Sequence, residues 1–120
     1  VKKILEINKV YNQDCLEGMK YINDKSIDMI LCDLPYGTTQ NKWDSIIDLK
    51  LLWNQYRRII KENGVIVLHG MELFSAYLIL SNSEWYKYKW YWQKDRGTGH
   101  LNAKKMPMRN IEEILVFYNK

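Results

Sequence analysis

The sequence is poor in the residues that build metal centres and disulfide frameworks. It has two cysteines and two histidines in 120 residues. Cys15 and Cys32 sit in apolar surroundings without metal-ligand spacing, and read as buried, reduced thiols. His69 and His100 are isolated from one another, which argues against zinc, so no metal is expected. No apolar run approaches the ~20 residues needed to span a bilayer. Val1-Lys2-Lys3-Ile4 is not followed by the apolar stretch of a signal peptide. The expectation is a soluble, cytoplasmic protein without membrane contact. Repeats, low-complexity tracts and Ser/Gly linkers are also missing, so residues 1–120 are expected to form a single domain.

What is present is core-forming material and an uneven charge. Hydrophobic residues make up 47% and aromatics 13%, with five Trp, nine Tyr and two Phe, enough for a packed core. Net charge is +4 and the pI is about 9.0, a balance shared by many proteins with no polyanionic partner. Its distribution says more. Lys94, Arg96, Lys104, Lys105 and Arg109 fall in one stretch, and no acidic residue occurs between Asp95 and Glu112.

Val10-Tyr11-Asn12 reads as a short strand. Asp14 then opens a helix carrying Leu16, Met19 and Ile22. The apolar run from Ile27 to Cys32 is typical of a strand covered on both faces, and Leu34 to Asp44 is a polar loop broken by Pro35 and Gly37. Asp48 starts a helix with Leu49, Leu52, Trp53, Tyr56, Ile59 and Ile60 on one stripe, ended by Asn63-Gly64. Val65 to Leu68 is a second buried strand, and Glu72 to about Asn82 another helix. From Trp85 to Trp92 a period of two puts Tyr86, Tyr88, Trp90 and Trp92 on one face and Lys87 and Lys89 on the other. That aromatic face could stack on bases, but cover by a helix is the commoner arrangement. After a basic loop, Ile114 to Phe117 supplies the last strand. The order predicts an α/β three-layer sandwich whose early strands are parallel and whose last two form an antiparallel edge hairpin.

In open α/β sheets, ligands bind beyond the carboxyl ends of parallel strands. Asp33-Leu34-Pro35-Tyr36-Gly37 stands at such an end. Pro35 biases Leu34 toward an extended conformation that can present its carbonyl beside the Asp33 carboxylate. Two acceptors and one ring suit a flat base bearing an exocyclic amine. On the tetrapeptide alone, Asp33 capping a turn and Tyr36 packing on the surface is the commoner arrangement, since short motifs often arise by chance.

Over nearly the whole chain, Asp14-Cys15-Leu16-Glu17, Ser26 to Gly37, Asn63-Gly64-Val65-Ile66-Val67, Trp92-Gln93-Lys94, Asn102 to Pro107 and Glu112 to Phe117 resemble, in order and spacing, the bacterial and phage DNA amino-methyltransferases. These enzymes methylate adenine-N6 or cytosine-N4 and carry an Asp/Asn/Ser-Pro-Pro-Tyr/Phe/Trp signature. The resemblance implies a partial Rossmann-like, S-adenosylmethionine-dependent methyltransferase fold acting on double-stranded DNA. It implies catalytic roles for Asp33, Leu34, Pro35 and Tyr36. The target amine would donate hydrogen bonds to Asp33 and the Leu34 carbonyl, while Tyr36 stacks on the flipped base. Asp at the head of the signature favours adenine over cytosine. Asp33 and Asp14 would border the cofactor, although Asp14 reads equally well as a helix N-cap. Lys94, Arg96, Lys104, Lys105 and Arg109 would contact DNA phosphates, or form a solvated loop.

The sequence departs from the family in three places. Leu34 replaces the first proline of the signature, Ile111 stands where a His often precedes the Glu pair, and the Gly-rich strand-to-helix turn for the cofactor is missing. Gly97-Thr98-Gly99 precedes no helix start and is no substitute. A chain carrying only this catalytic half would expose a strand edge and an apolar face, so a homodimer or a complementing second half is expected. Two other readings stay open: a non-catalytic DNA- or partner-binding remnant of the fold, and an RNA or protein amine methyltransferase.

Overall fold

The computed structural model describes residues 3–37, 45–102 and 104–120. Four strands, β1 (Ile27–Cys32), β2 (Ile60–Gly70), β3 (Tyr86–Thr98) and β4 (Arg109–Phe117), form one sheet in the order β1-β2-β4-β3. β1 and β2 run parallel, while β4 is antiparallel to both of its neighbours. The helices are α1 (Cys15–Met19), α2 (Leu49–Ile59) and α3 (Glu72–Ser81). Both expected N-caps form: Asp14 accepts from Glu17 N and Asp48 from Leu51 N, each satisfying an orphan donor of the first turn.

The core lies on one face of the sheet. Leu52, Trp53 and Tyr56 of α2 and Phe74 and Leu78 of α3 pack with Ile66, Leu68, Leu115 and Phe117. On the other face Tyr88, Trp90 and Trp92 are exposed, as are Met29 and Leu31 at the edge, Leu31 at 64% and Trp90 at 63%. Among the described residues the helices therefore cover a single face. The third layer of the expected sandwich is not formed by them, and neither β1 nor the aromatic strand has its expected cover. An apolar run reports that both faces of a strand are apolar. It does not report that both are covered within the same chain.

Local departures have definite causes. Val10-Tyr11-Asn12 is not a strand: Val10 is exposed and the segment pairs with no neighbour in the sheet. Asn63-Gly64 does not end α2, which stops at Ile59 because Ile60 is already extended (φ −73°, ψ 138°). Gly64 lies inside β2, where pairing slips between Ile27↔Ile60 and Met29↔Val65. A Cβ there would come within 2.6 Å of the Ile60 side chain and 3.0 Å of the Asp28 carbonyl oxygen. A second bulge, between Tyr86 and Tyr88, shifts the aromatic period. Tyr86 pairs with Phe117 and packs on its ring (centroids 5.6 Å apart), while Tyr88 pairs with Val116 on the opposite face. The four rings do not share one face.

Candidate functional site

β1 and β2 are parallel, so their carboxyl ends open on the same rim of the sheet. Asp33 to Gly37 leaves the end of β1 there, and α3 begins just after β2. The Leu34 side chain is 4% exposed and belongs to the core. This residue replaces the signature's first proline, and it fixes the loop by burial instead of ring rigidity. Its neighbour Asp33 is exposed. Tyr36 is half-buried, its ring 4.8 Å from that of Phe74 in α3 and tilted by 32°. Burial pushes the Tyr36 phenol well above its usual range, and the negative charges of Asp33 and Glu112 and a hydrogen bond with Asp33 add to the shift. The phenol stays protonated, a neutral donor between carboxylates.

Glu112 was not singled out as a site residue by sequence reasoning. It enters β4 opposite Trp92, accepts from Lys94 Nζ at 2.6 Å, and has its other oxygen 3.8 Å from His69 Nδ1. The alternation of β3 and β4 gave a signal that could have found it. Trp92, Lys94 and Glu112 share the sheet face away from the helices, and the charge of Glu112 acts on the Tyr36 phenol.

The expected phosphate-binding residues are divided by the structure. Lys94 and Arg96 extend β3 and Arg109 begins β4, so the loop between the strands is shorter than expected and Lys94, Arg96 and Arg109 belong to the strands. Lys94 is engaged by Glu112 and lies over the Trp92 ring, 5.5 Å from its centroid. Arg109 pairs with Glu72 at the start of α3, Nε to Oε1 3.3 Å. Arg96, Lys104 and Lys105 are exposed. Asp14 caps α1. Cys15 is exposed rather than buried, because it opens a helix of only five residues; Cys32 is half-buried, and burial raises its thiol pKa despite a hydrogen bond with Tyr56. Gly97 and Thr98 lie in β3, with no α-helix following among the described residues. No helix among the described residues is long and apolar enough to cross a membrane.

No protein-family model matches the sequence. Over 83 residues, 61% of its length, the chain is 26% identical to the Type II methyltransferase M.BamHI of Bacillus amyloliquefaciens, spanning 20% of that protein. Over 42 residues it is 33% identical to the Type II methyltransferase M1.MboII of Moraxella bovis, spanning 16% of it. In fold it matches the crystal structure of an M1.HpyAVI–SAM complex with a TM-score of 0.68 at 19% identity, covering 93% of this chain and 54% of that one. It also matches the PvuII DNA methyltransferase (cytosine-N4-specific) with a TM-score of 0.62 at 13% identity, covering 92% and 48%. The chain thus spans about half the length of these solved structures and a fifth or less of the curated relatives. Its mixed α/β sheet matches part of a DNA methyltransferase fold, and the chain is a distant relative of the Type II DNA methyltransferases over part of their length.

Proposed function

We propose that this chain carries the target-amine half of a DNA amino-methyltransferase that uses S-adenosylmethionine and prefers adenine-N6. The observation that carries the reading is the pairing of Asp33 and Tyr36 on the sheet rim, with Leu34 buried between them. An anchored backbone holds an exposed aspartate and an aromatic ring in fixed relation. That is the requirement for gripping a planar base by its amine and its face.

The amine lone pair of an adenine is delocalised into the ring and is a poor nucleophile. Hydrogen bonds donated by the amine to the Asp33 carboxylate and the Leu34 carbonyl would draw its nitrogen toward sp3 geometry. The lone pair would then point away from the base plane, toward the methyl donor. Tyr36 would stack on the flipped base and offset part of the few kcal/mol lost on unstacking. Orientation supplies much of the rate in such a transfer. Asp33 need not take the proton in the transition state, since the methylated amine can release it afterwards.

The residues present do not fit a complete cofactor seat. Asp14 is spent on its helix cap, and no glycine-rich turn joins a strand to an α-helix among the described residues. The chemistry assigned to this chain therefore stops at the target amine. Asp at the head of the tetrapeptide favours adenine over cytosine. Duplex DNA carrying 2-aminopurine in place of single adenines tests the reading. Its fluorescence should rise on binding at the target position, and rise less with Tyr36→Ala; binding without any rise at any position contradicts it.

A further inference from the structure

The first turn of α3 is fastened to two strands. Gly70, at the end of β2, lies so close to Ser75 that a Cβ there would come within 2.5 Å of the Ser75 Oγ and 3.3 Å of its Cα. Glu72 is held by Arg109 at the start of β4, Nε to Oε1 3.3 Å. At the far end of the helix, Ser81 Oγ accepts from Trp53 Nε1 of α2 at 2.7 Å. Helix α3 is thus tied to β2, β4 and α2, and the side chains of its inner face keep a set position on the sheet rim.

One of those side chains reaches the candidate site. Phe74 meets Tyr36 with ring centroids 4.8 Å apart and planes 32° from parallel, nearer to stacked than to edge-on. The two rings differ in burial: Phe74 is a core residue, whereas Tyr36 is half-buried. We infer that Phe74 is a positioning residue for the target base, setting the angle of the Tyr36 ring so that the flipped base stacks on a surface already in place. The inference rests on the reading that Tyr36 stacks on a flipped base, and it adds to that reading a residue of a different element. Phe74 acts through Tyr36 and does not touch the base.

The physical reason is preorganisation. An unsupported, half-exposed tyrosine turns about its side-chain bonds, and a base arriving on it has to still that motion. The cost is of a size that shifts an equilibrium roughly twofold to tenfold. A ring backed by a buried ring, on a helix fastened at both ends, has lost that freedom on folding, before any DNA arrives. Leu78, one turn later in α3, is 0% exposed and fills the same core. It supplies the comparison, because it has burial to lose and no ring to lend.

Duplex DNA carrying 2-aminopurine in place of single adenines, saturated with protein, reads the stack. The fluorescence rise at the responding position should fall roughly twofold or more in Phe74→Leu. Leu78→Val, which also thins the core, should keep the full rise. Circular dichroism and urea denaturation establish that each variant is folded. If Phe74→Leu does not fold, Phe74→Met repeats the test with a flexible side chain that fills the space without a ring. A rise in the folded Phe74 variant equal to or above that of the unaltered chain overturns the inference and leaves the Tyr36 reading standing. An equal loss in Leu78→Val also overturns it, since Phe74 would then be a core residue and nothing more. No rise at any position with the unaltered chain contradicts the Tyr36 reading and removes this inference with it.

Discussion

Lys94 donates to Glu112 across a distance of 2.6 Å, with both side chains largely shielded from water. The pair ties β3 to β4 beside Tyr36, and it separates one lysine of the basic stretch from the rest. A cation already matched by a carboxylate releases few counterions when it meets a phosphate. Among the described contacts Lys104 and Lys105 have no such engagement, and both are exposed. The salt dependence of duplex binding should therefore change little with Lys94→Ala, while Lys104→Ala with Lys105→Ala should reduce the slope of log K against log[salt] by about 1.8, at ~0.9 per phosphate contact. An unchanged slope in the double variant would return these lysines to a solubilising role.

Leu34 anchors the loop that the signature's proline would otherwise stiffen. Truncation to Leu34→Ala should cost about 2–3 kcal/mol of stability, read by urea denaturation, through lost burial and the cavity left behind. Leu34→Pro restores the family signature yet removes the same buried side chain, so it should also destabilise. A fully stable Leu34→Pro variant would show that the loop does not depend on this anchor.

Arg58 joins α2 to the end of α1 and the segment that follows it through several polar contacts. It donates to the carbonyl oxygens of Met19 (2.6 Å) and Ile22 (2.7 Å) and pairs with Asp24 (2.7 Å). It thereby closes the C-terminal end of α1 from the last turn of α2. Arg58→Ala leaves those acceptors unmatched and should cost about 2 kcal/mol, with Arg58→Lys recovering only part, because one ammonium cannot span the same acceptors. Chemical denaturation of the three proteins side by side decides this.

The Tyr36 phenol has its folded pKa raised above the unfolded value near 10. The unfolded chain thus loses this proton first as pH rises. The stability tied to Tyr36 is present below pH ~10 and declines above it. Ultraviolet titration near 295 nm should show Tyr36 ionising after the exposed tyrosines, and Tyr36→Phe should remove a late component. Loss of an early component instead would place the ring in solvent.

The parts of the fold legible in the sequence were those set by neighbours in the chain. The caps at Asp14 and Asp48, the strand Ile27–Cys32, the span of α3 and the antiparallel hairpin all follow from local pattern. The two bulges were not legible, because each depends on which residue of a distant strand is opposite. One moved Gly64 from a helix end into β2, and the other sent Tyr86 and Tyr88 to different faces. The reach of Arg58 to α1 and the capture of Lys94 by Glu112 are contacts over 39 and 18 positions (58 − 19 and 112 − 94), beyond any periodicity. At the site, the position of Asp33 to Tyr36 at a strand end was readable, and the burial of Leu34 was not. The expected loop residues from Thr38 to Asp44 lie outside the described residues.

The central claim is that Asp33 polarises the amine of a flipped adenine. Its most direct test is mass spectrometry of nucleosides from DNA of cells expressing the gene that encodes this chain, with and without Asp33→Ala. The account predicts N6-methyladenine with the unaltered protein and its loss in the Asp33→Ala variant, with circular dichroism unchanged. N6-methyladenine persisting at the same level in the variant, or N4-methylcytosine as the sole product, would contradict it.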